Sequence, residues 1–176
     1  MPGAFGHLIG AWLCGTTRNY FCRQKLTRLQ WAALLFGAII PDVDFLFEWT
    51  IEDFHPHRTF THSFLAAFLG GIVVYLLLRL FSHVRMTKIA KPATIALLFS
   101  FGMLTHIFLD LTTGPSGLQI FWPNHTWITL DGPLDHHSYP PTYDDLRRNV
   151  VMGTMDMGLG TLWLAYLFWR KKLRFD

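Results

Sequence analysis

The sequence has few charged residues, few cysteines and none of the common nucleotide-binding or serine-hydrolase motifs. Asp, Glu, Lys and Arg make up 15% of its 176 residues, against roughly 25% in an ordinary soluble domain. Its two cysteines, Cys14 and Cys22, are too few for a disulfide framework and match no metal-binding spacing. Walker A loops, the G-x-G-x-x-G fingerprint and the G-x-S-x-G elbow are absent. These absences argue against a soluble domain, a disulfide-rich protein, a P-loop enzyme and a serine hydrolase of that type.

Long apolar segments dominate the chain instead. Hydrophobic residues make up 51% of it, and the mean hydropathy is +0.28. The apolar runs are residues 4–17, 29–49, 63–81, 93–112 and 150–169. A helix needs about 20 apolar residues to cross the hydrocarbon core, so 63–81 is a clear span and 4–17 is short. We predict an all-α, polytopic membrane protein with one domain at 1–176, four to five membrane-embedded helices and a long outer loop at 113–149.

The basic residues predict the orientation of these helices. All but three of the 15 Lys and Arg residues lie in three stretches, at 18–28, 79–91 and 170–174. The positive-inside rule places these stretches in the cytoplasm. Five crossings result, with the N-terminus outside and the C-terminus in the cytoplasm. We therefore expect a multi-pass protein of a bacterial-type inner membrane, with the lipid bilayer as its partner and no nucleic-acid partner.

This topology brings the unusual polar residues to one depth, near the outer membrane face. They are His7, Asp42, Asp44, His57, His62, His106, Asp110 and Asp156. Ionisable residues inside a membrane are costly and are candidates for a functional site by default. Imidazole and carboxylate groups without thiolates suit Zn²⁺, Mn²⁺ or Fe²⁺. We therefore predict a divalent-metal site here, with zinc as the first choice.

Two pairs of residues give the strongest ligand candidates. His106 and Asp110 are four residues apart and share a helix face; the alternative is a His–Asp hydrogen bond that packs two helices. Asp42 and Asp44 follow Pro41, which favours a helix break that turns both carboxylates inward. The alternative for Asp42 is a turn in which it caps the next helix.

The stretch 57–63, His-Arg-Thr-Phe-Thr-His-Ser, lies just before the third apolar run. Thr61 is the expected N-cap of a helix that begins at Ser63, which would aim His62 at the outer pocket. His57 is either a ligand or a group that orients one.

The catalytic candidates are Arg58, Asp44 and His57. The guanidinium of Arg58 is always charged and suits phosphate or carboxylate recognition. A structural salt bridge from Arg58 to Asp42 or Asp53 is the alternative. Asp44 or His57 would orient or deprotonate an attacking water.

Several motifs resemble, in order, those of the YdjM-type family of membrane-bound metal-dependent hydrolases. They are Gly6-His7-Leu8, Ile40-Pro41-Asp42-Val43-Asp44, the stretch 57–63 and Thr105-His106-Ile107-Phe108-Leu109-Asp110, followed by residues 111–115 and 120–123. The resemblance covers roughly residues 6–123 and weakens beyond them. It implies a metal-dependent hydrolase embedded in a membrane.

A more distant resemblance is to zinc-dependent phospholipase C, an all-α enzyme with a clustered zinc site. In that enzyme an N-terminal His, an Asp, a His and a His-x-x-x-Asp pair follow in this order. The resemblance implies the metal ligands His7, Asp42, His62, His106 and Asp110. The later His and Glu ligands of that enzyme have no clear match; Asp156 or His137 would have to stand in. Alternatively, Asp156 faces a seam between helices.

We expect a membrane-bound hydrolase of lipid-linked phosphoesters that uses one to three divalent ions and a metal-activated water. The alternative is a non-enzymatic metal-binding membrane protein, such as a transporter, sensor or scaffold. Ligands clustered at one end of the helices favour the enzyme, whereas ligands at mid-membrane on several spans favour transport.

Overall fold

The computed structural model is a bundle of α-helices, and it describes residues 3–44, 58–84, 89, 91–113, 117–130, 132–134 and 143–170. Its helices are α1 (Ala4–Phe21), α2 (Arg28–Gly37), α3 (Phe64–Val84), α4 (Pro92–Thr113) and α5 (Tyr143–Trp169). Two 3-10 helices, Ile40–Asp44 and Phe60–His62, lie between α2 and α3. A short antiparallel ribbon pairs β1 (Trp127–Thr129) with β2 (Gly132–Leu134). The predicted all-α membrane class is confirmed.

Three helices of the described part of the chain are long and apolar enough to cross a membrane. These spans are Phe64–Val84, Pro92–Thr112 and Val150–Trp169. The five predicted crossings exceed this number. The ten residues of α2 reach only about 15 Å, roughly half of the hydrocarbon core. The 18 residues of α1 contain the polar run Thr-Thr-Arg-Asn near their end, which lowers the hydropathy of that helix.

The helix α1 runs antiparallel to α4 between the two ends of the bundle. At one end, the ammonium group of Lys91 donates to the side-chain oxygen of Gln24 at 2.9 Å, just after α1 and just before α4. At the other end, Nε2 of His7 lies 3.3 Å from Oδ1 of Asp110. Two of the three basic stretches therefore meet at one end of the bundle, which we call the basic end. The predicted metal ligands lie at the other.

The helices α2 and α4 pack with their backbones in contact. A Cβ on Gly37 would overlap the carbonyl oxygen of Phe99, and a Cβ on Gly102 would overlap the carbonyl oxygen of Leu34. Small residues at a helix crossing allow this kind of close approach. As a result, the end of α2 lies directly against the face of α4 that carries His106.

The start of α3 differs from the sequence prediction. Ser63, rather than Thr61, caps the helix, because the hydroxyl of Ser63 accepts a hydrogen bond from the backbone N–H of Ala66 at 3.0 Å. The helix itself begins at Phe64. Thr61 lies in the preceding 3-10 helix, and its hydroxyl donates to the carboxylate of Asp44. The predicted cap was wrong, but Thr61 still links the segment before α3 to the segment after α2.

The segment after α4 folds back over the segment before α3. Residues 117–120 are buried. The backbone N–H of Gln119 donates to the carbonyl oxygen of Arg58 at 3.1 Å, and that of Phe64 donates to Ile120 at 3.0 Å. The predicted loop at 113–149 is also too long, because α5 begins at Tyr143. Residues 143–149 are mostly polar, with only Tyr143 and Leu146 apolar, so a helix there has only a weak signal in the sequence.

Candidate metal centre

Four side chains from three elements meet at the end of the bundle opposite the basic end. They are Asp42 from the first 3-10 helix, His62 from the second, and His106 and Asp110 from α4. Each offers one ligand atom, and these atoms all lie within 4.8 Å of one another. We call these four residues the quartet. The side chains of His62, His106 and Asp110 are completely buried, whereas that of Asp42 is 25% exposed.

Five of the six distances within the quartet match those around a tetrahedral zinc ion. Nε2 of His62 and Nε2 of His106 are 3.2 Å apart. Oδ1 of Asp42 lies 3.6 Å and 3.4 Å from these two nitrogens. Oδ2 of Asp110 lies 3.5 Å and 3.7 Å from them. Zinc ligands about 2.0–2.2 Å from the metal are about 3.3–3.6 Å from each other in a tetrahedron. The donor set and its spacing therefore fit one zinc ion.

Hydrogen bonds behind the two histidines aim them at this point. Nδ1 of His106 lies 2.7 Å from the carbonyl oxygen of Ala38. A carbonyl oxygen only accepts, so Nδ1 carries the proton and Nε2 presents its lone pair. Nδ1 of His62 lies 3.0 Å from the Thr61 hydroxyl and 3.4 Å from Oδ2 of Asp44, which is 2% exposed. A carboxylate behind a ligating imidazole is a common feature of metal sites.

Asp110 connects the quartet to His7. Its Oδ2 faces His62 and His106, whereas its Oδ1 lies 3.3 Å from Nε2 of His7. The fully buried ring of His7 stacks on that of His106, with centroids 3.7 Å apart and 16° between the planes. His7 is therefore outside the quartet but directly beside it. A carboxylate that faces two sets of donors in this way can bridge two metal ions.

Buried polar atoms of this cluster lack a hydrogen-bond partner among the described residues. They are both ring nitrogens of His7, Oδ1 of Asp42 and both carboxylate oxygens of Asp110. Burying such groups without a partner is costly. The carboxylates of Asp42, Asp44 and Asp110 also outnumber the one buried guanidinium beside them, that of Arg58. A divalent cation would supply both the missing partner and the missing positive charge.

The same contacts shift the pKa values of the two ligands outside the spans. Burial alone lowers the pKa of the His62 imidazole. Three neighbouring carboxylates outweigh burial and raise this pKa to about 10; in order of effect they belong to Asp110, Asp42 and Asp44. Burial alone raises the pKa of Asp42, but the imidazoles of His106 and His62 hold it well below its ordinary value. In the metal-free centre a proton on His62 thus offsets part of the negative charge, and a metal ion would displace this proton.

Arg58 lies in a buried, left-handed turn beside the quartet. Its exposure is 5% and its φ is +65°, a region that residues other than glycine rarely adopt. The turn is held by the backbone bond from Gln119 and by Nη1 of Arg58, which donates to the carbonyl oxygen of Gly117 at 3.5 Å. Burial lowers the pKa of Arg58, and the carboxylates of the cluster oppose this shift. The guanidinium is therefore kept close to the predicted ligands.

The other candidates lie elsewhere or cannot be placed. The carboxylate of Asp156 accepts hydrogen bonds from the backbone N–H groups of Phe5 and Gly6, so Asp156 lies at a helix seam and not among the ligands. His83 is exposed near the end of α3. The positions of His57, Asp53, His136 and His137 lie outside the described residues.

Sequence reasoning missed the carbonyl group of Ala38, which fixes the tautomer of His106. Every residue has a backbone carbonyl group, so no sequence motif identifies the one that accepts a hydrogen bond from His106. The indirect signal is the pair of glycines, Gly37 and Gly102, which permit the close helix contact. Interpreting them would have required knowing that α2 and α4 cross at these positions.

Comparison with known proteins agrees with the motif resemblance. The family model of the YdjM inner membrane protein matches residues 1–171. No curated protein and no solved structure matches the chain, so the likeness to zinc-dependent phospholipase C rests on the order of the motifs alone. The family match extends beyond the 6–123 range recognised from the motifs and includes α5. The chain belongs to the YdjM inner membrane protein family.

Proposed function

We propose that this protein is a membrane-bound, metal-dependent hydrolase of lipid-linked phosphoesters. The observation that carries the proposal is the quartet, in which two imidazole nitrogens and two carboxylate oxygens lie at the distances of tetrahedral zinc ligands. Phosphoester hydrolysis is a reaction for which such nitrogen and oxygen sites are suited.

The depth of the quartet supports an enzyme rather than a transporter. His62 lies two residues before α3, and Asp110 lies in the last turn of α4. His106 lies about 10 Å from the end of α4 at the helical rise of roughly 1.5 Å per residue. The ligands are thus near one end of the spans rather than at their midpoint, which supports access from the side of the lipid headgroups. The sites of transporters are instead near the bilayer midplane.

The residues of the candidate centre would have different roles. The quartet would hold one ion, and His7 together with Asp110 would contribute to a second. A bound ion supplies Lewis-acid chemistry, which polarises a phosphoryl oxygen and lowers the pKa of a water molecule. The carbonyl oxygen of Ala38 orients the imidazole of His106, and the carboxylate of Asp44 orients the imidazole of His62.

Arg58 is the group that would bind the phosphate. Its fork of N–H donors matches two phosphate oxygens, and its charge would stabilise the negative charge that develops during phosphoester cleavage. The predicted roles of Asp44 and His57 in orienting or deprotonating water remain predictions. The contact of Asp44 with Nδ1 of His62 supports the orienting role.

The proposed orientation places this centre at the outer face of a bacterial-type inner membrane. The basis is the charge pattern: the basic end of the bundle is the end that the positive-inside rule assigns to the cytoplasm. The centre lies at the opposite end, and the C-terminus would be cytoplasmic.

One observation favours a second candidate function, a non-enzymatic metal-binding protein. Four protein ligands fill a tetrahedral coordination sphere, as in structural zinc sites, whereas catalytic sites keep one position open. Asp42 distinguishes the two candidates. Its side chain is the partly exposed member of the quartet, so water or substrate would reach the ion there.

The test is metal analysis of detergent-purified protein, followed by a screen of phosphoesters with and without chelator. The substrates should include phosphatidylcholine, phosphatidic acid and an isoprenyl diphosphate, because their products reveal which phosphoester bond is cut. We expect a bound divalent ion and turnover that chelation abolishes and metal restores. A fully metal-loaded protein that cleaves none of these substrates would support the second candidate instead.

A further inference from the structure

The helix α5 caps the helix α1. The helix α1 begins after Gly3, which has no side chain to bond the free N–H groups of the first turn. The carboxylate of Asp156, on α5, takes over this function. Its Oδ1 accepts from the N–H of Gly6 at 2.6 Å, and its Oδ2 accepts from the N–H of Phe5 at 3.1 Å. These are the N–H groups that a local capping residue usually binds.

The fit between the two helices requires glycine on both sides. A Cβ on Gly3 would collide with the carboxylate of Asp156, and a Cβ on Gly160 would overlap the ring of Phe5. Asp156 and Gly160 are one helical turn apart, so they form one surface of α5. Asp156 is 8% exposed, and its charge is favourable at the positive end of the α1 dipole. The first turn of α1 is therefore held in one position.

His7 projects from this first turn. Its backbone N–H bonds the carbonyl oxygen of Gly3 at 3.3 Å. Its ring stacks on His106 and approaches Asp110, yet neither ring nitrogen has a hydrogen-bond partner among the described residues. The stacking on His106 and the 3.3 Å approach to Asp110 are the contacts that hold the ring, and both require the first turn of α1 to be in place. Its position depends on where α1 is placed.

We propose that Asp156 is a positioning residue of the metal centre, which holds His7 against Asp110 by capping α1. The inference rests on the proposed metal centre and deepens it, because it assigns a role to α5, which contributes no member of the quartet. Asp156 acts through His7 and does not touch the ion. Its loss should weaken the contribution of His7 and leave the quartet intact.

The first test is a double-mutant cycle read by metal affinity. Asp156→Asn keeps the shape of the side chain but replaces one acceptor oxygen with a donor. We expect metal affinity to fall about tenfold, as for other groups that orient a ligand. In a His7→Ala background, Asp156→Asn should cause no further fall, because the residue through which it acts is gone. Additive losses would overturn the proposal.

The second test needs no metal and no activity. The ring nitrogens of ¹⁵N-histidine-labelled, metal-free protein are observed by NMR in detergent. The His7 signals should move in Asp156→Asn, and also in Gly160→Ala, whose new methyl group displaces Phe5. They should not move in Gly158→Ala, where a Cβ would meet nothing within 4 Å. The exposed His83 serves as the internal reference.

The outcomes separate this inference from the proposed function. Unmoved His7 signals in both Asp156→Asn and Gly160→Ala would overturn the positioning role, whatever the protein hydrolyses. Moved signals in a protein that hydrolyses nothing would support positioning while the hydrolase proposal fails. If Asp156→Asn does not fold, Gly160→Ala tests the same contact between α1 and α5 by changing a different residue of α5.

Discussion

The carbonyl oxygen of Ala38 accepts a hydrogen bond from Nδ1 of His106 at 2.7 Å. This bond turns Nε2 of His106 toward His62 and Asp42. It exists only because α2 and α4 touch at Gly37 and Gly102. The candidate metal centre thus depends on the contact between α2 and α4 at Gly37 and Gly102, two residues that are not ligands themselves.

Gly102→Ala should weaken metal binding through this crossing. The new methyl group would meet the backbone of Leu34 and push α2 away, which costs about 1–3 kcal/mol for overpacking and is partly offset by roughly 1 kcal/mol of helix propensity. Stability should therefore fall by up to about 2 kcal/mol, and metal affinity should fall as well. Melting temperature and metal titration measure the two effects. Gly153→Ala, where a Cβ meets nothing within 4 Å, is the matched control.

Replacing any member of the quartet should lower the amount of bound metal. The variants are Asp42→Asn, His62→Ala, His106→Ala and Asp110→Asn. Each removes one of four donors, and His83→Ala, at an exposed position outside the centre, should bind metal like the wild type. Elemental analysis of purified protein gives the result. Full metal content in all four variants would rule out this site.

Metal binding at pH 7 should release about one proton. The pKa of His62 is raised to about 10 in the metal-free centre, so its imidazole is protonated at pH 7 and must lose this proton to bind metal. Calorimetric titration in two buffers with different ionisation enthalpies counts the protons. Binding heats that do not depend on the buffer would contradict the prediction.

The stability of the metal-free protein should fall at high pH. A raised pKa in the folded state means that protonated His62 stabilises the fold fully below the ordinary pKa of 6.5. This contribution is lost as the pH rises through about 10. Melting temperatures of chelator-treated protein between pH 6 and pH 10 should therefore decrease, and the decrease should be smaller in His62→Gln.

Arg58→Lys should reduce phosphoester turnover while metal content stays intact. Lysine keeps the charge but loses the planar fork, and a hydrogen bond to a charged group is worth about 1.5–3 kcal/mol, or roughly 10- to 100-fold in rate. Turnover, metal content and melting temperature should be measured on the same preparation. An active, metal-loaded but less stable variant would show that Arg58 only braces the carboxylates.

The orientation is tested by labelling thiols in intact cells. Cys22 is exposed and follows α1 at the basic end, so a membrane-impermeant maleimide should not reach it until the cells are permeabilised. In a Cys14→Ser background, the thiol introduced by His125→Cys, at an exposed position after α4, should react without permeabilisation. The reverse pattern would invert the proposed topology.

Three members of the quartet were predictable because they break a strong pattern: Asp42, His106 and Asp110 lie inside apolar runs. Charged groups inside apolar runs, such as Asp110, stand out against a membrane background, and the basic stretches put them at one depth. The short length of α2 was not predictable, because the apolar run 29–49 continues past Gly37, where the helix ends. Long-range partners were also hidden: the cap formed by Asp156 joins residues that are 150 and 151 positions apart.

The contact between Asp156 and α1 also joins two helices that are synthesised at different times. A nascent chain already contains all four quartet residues once α4 has entered the membrane. The first turn of α1 must wait for α5, which leaves the ribosome after α4, before it is capped. The quartet can therefore form before α5 is synthesised, whereas His7 is fixed only when α1 and α5 meet.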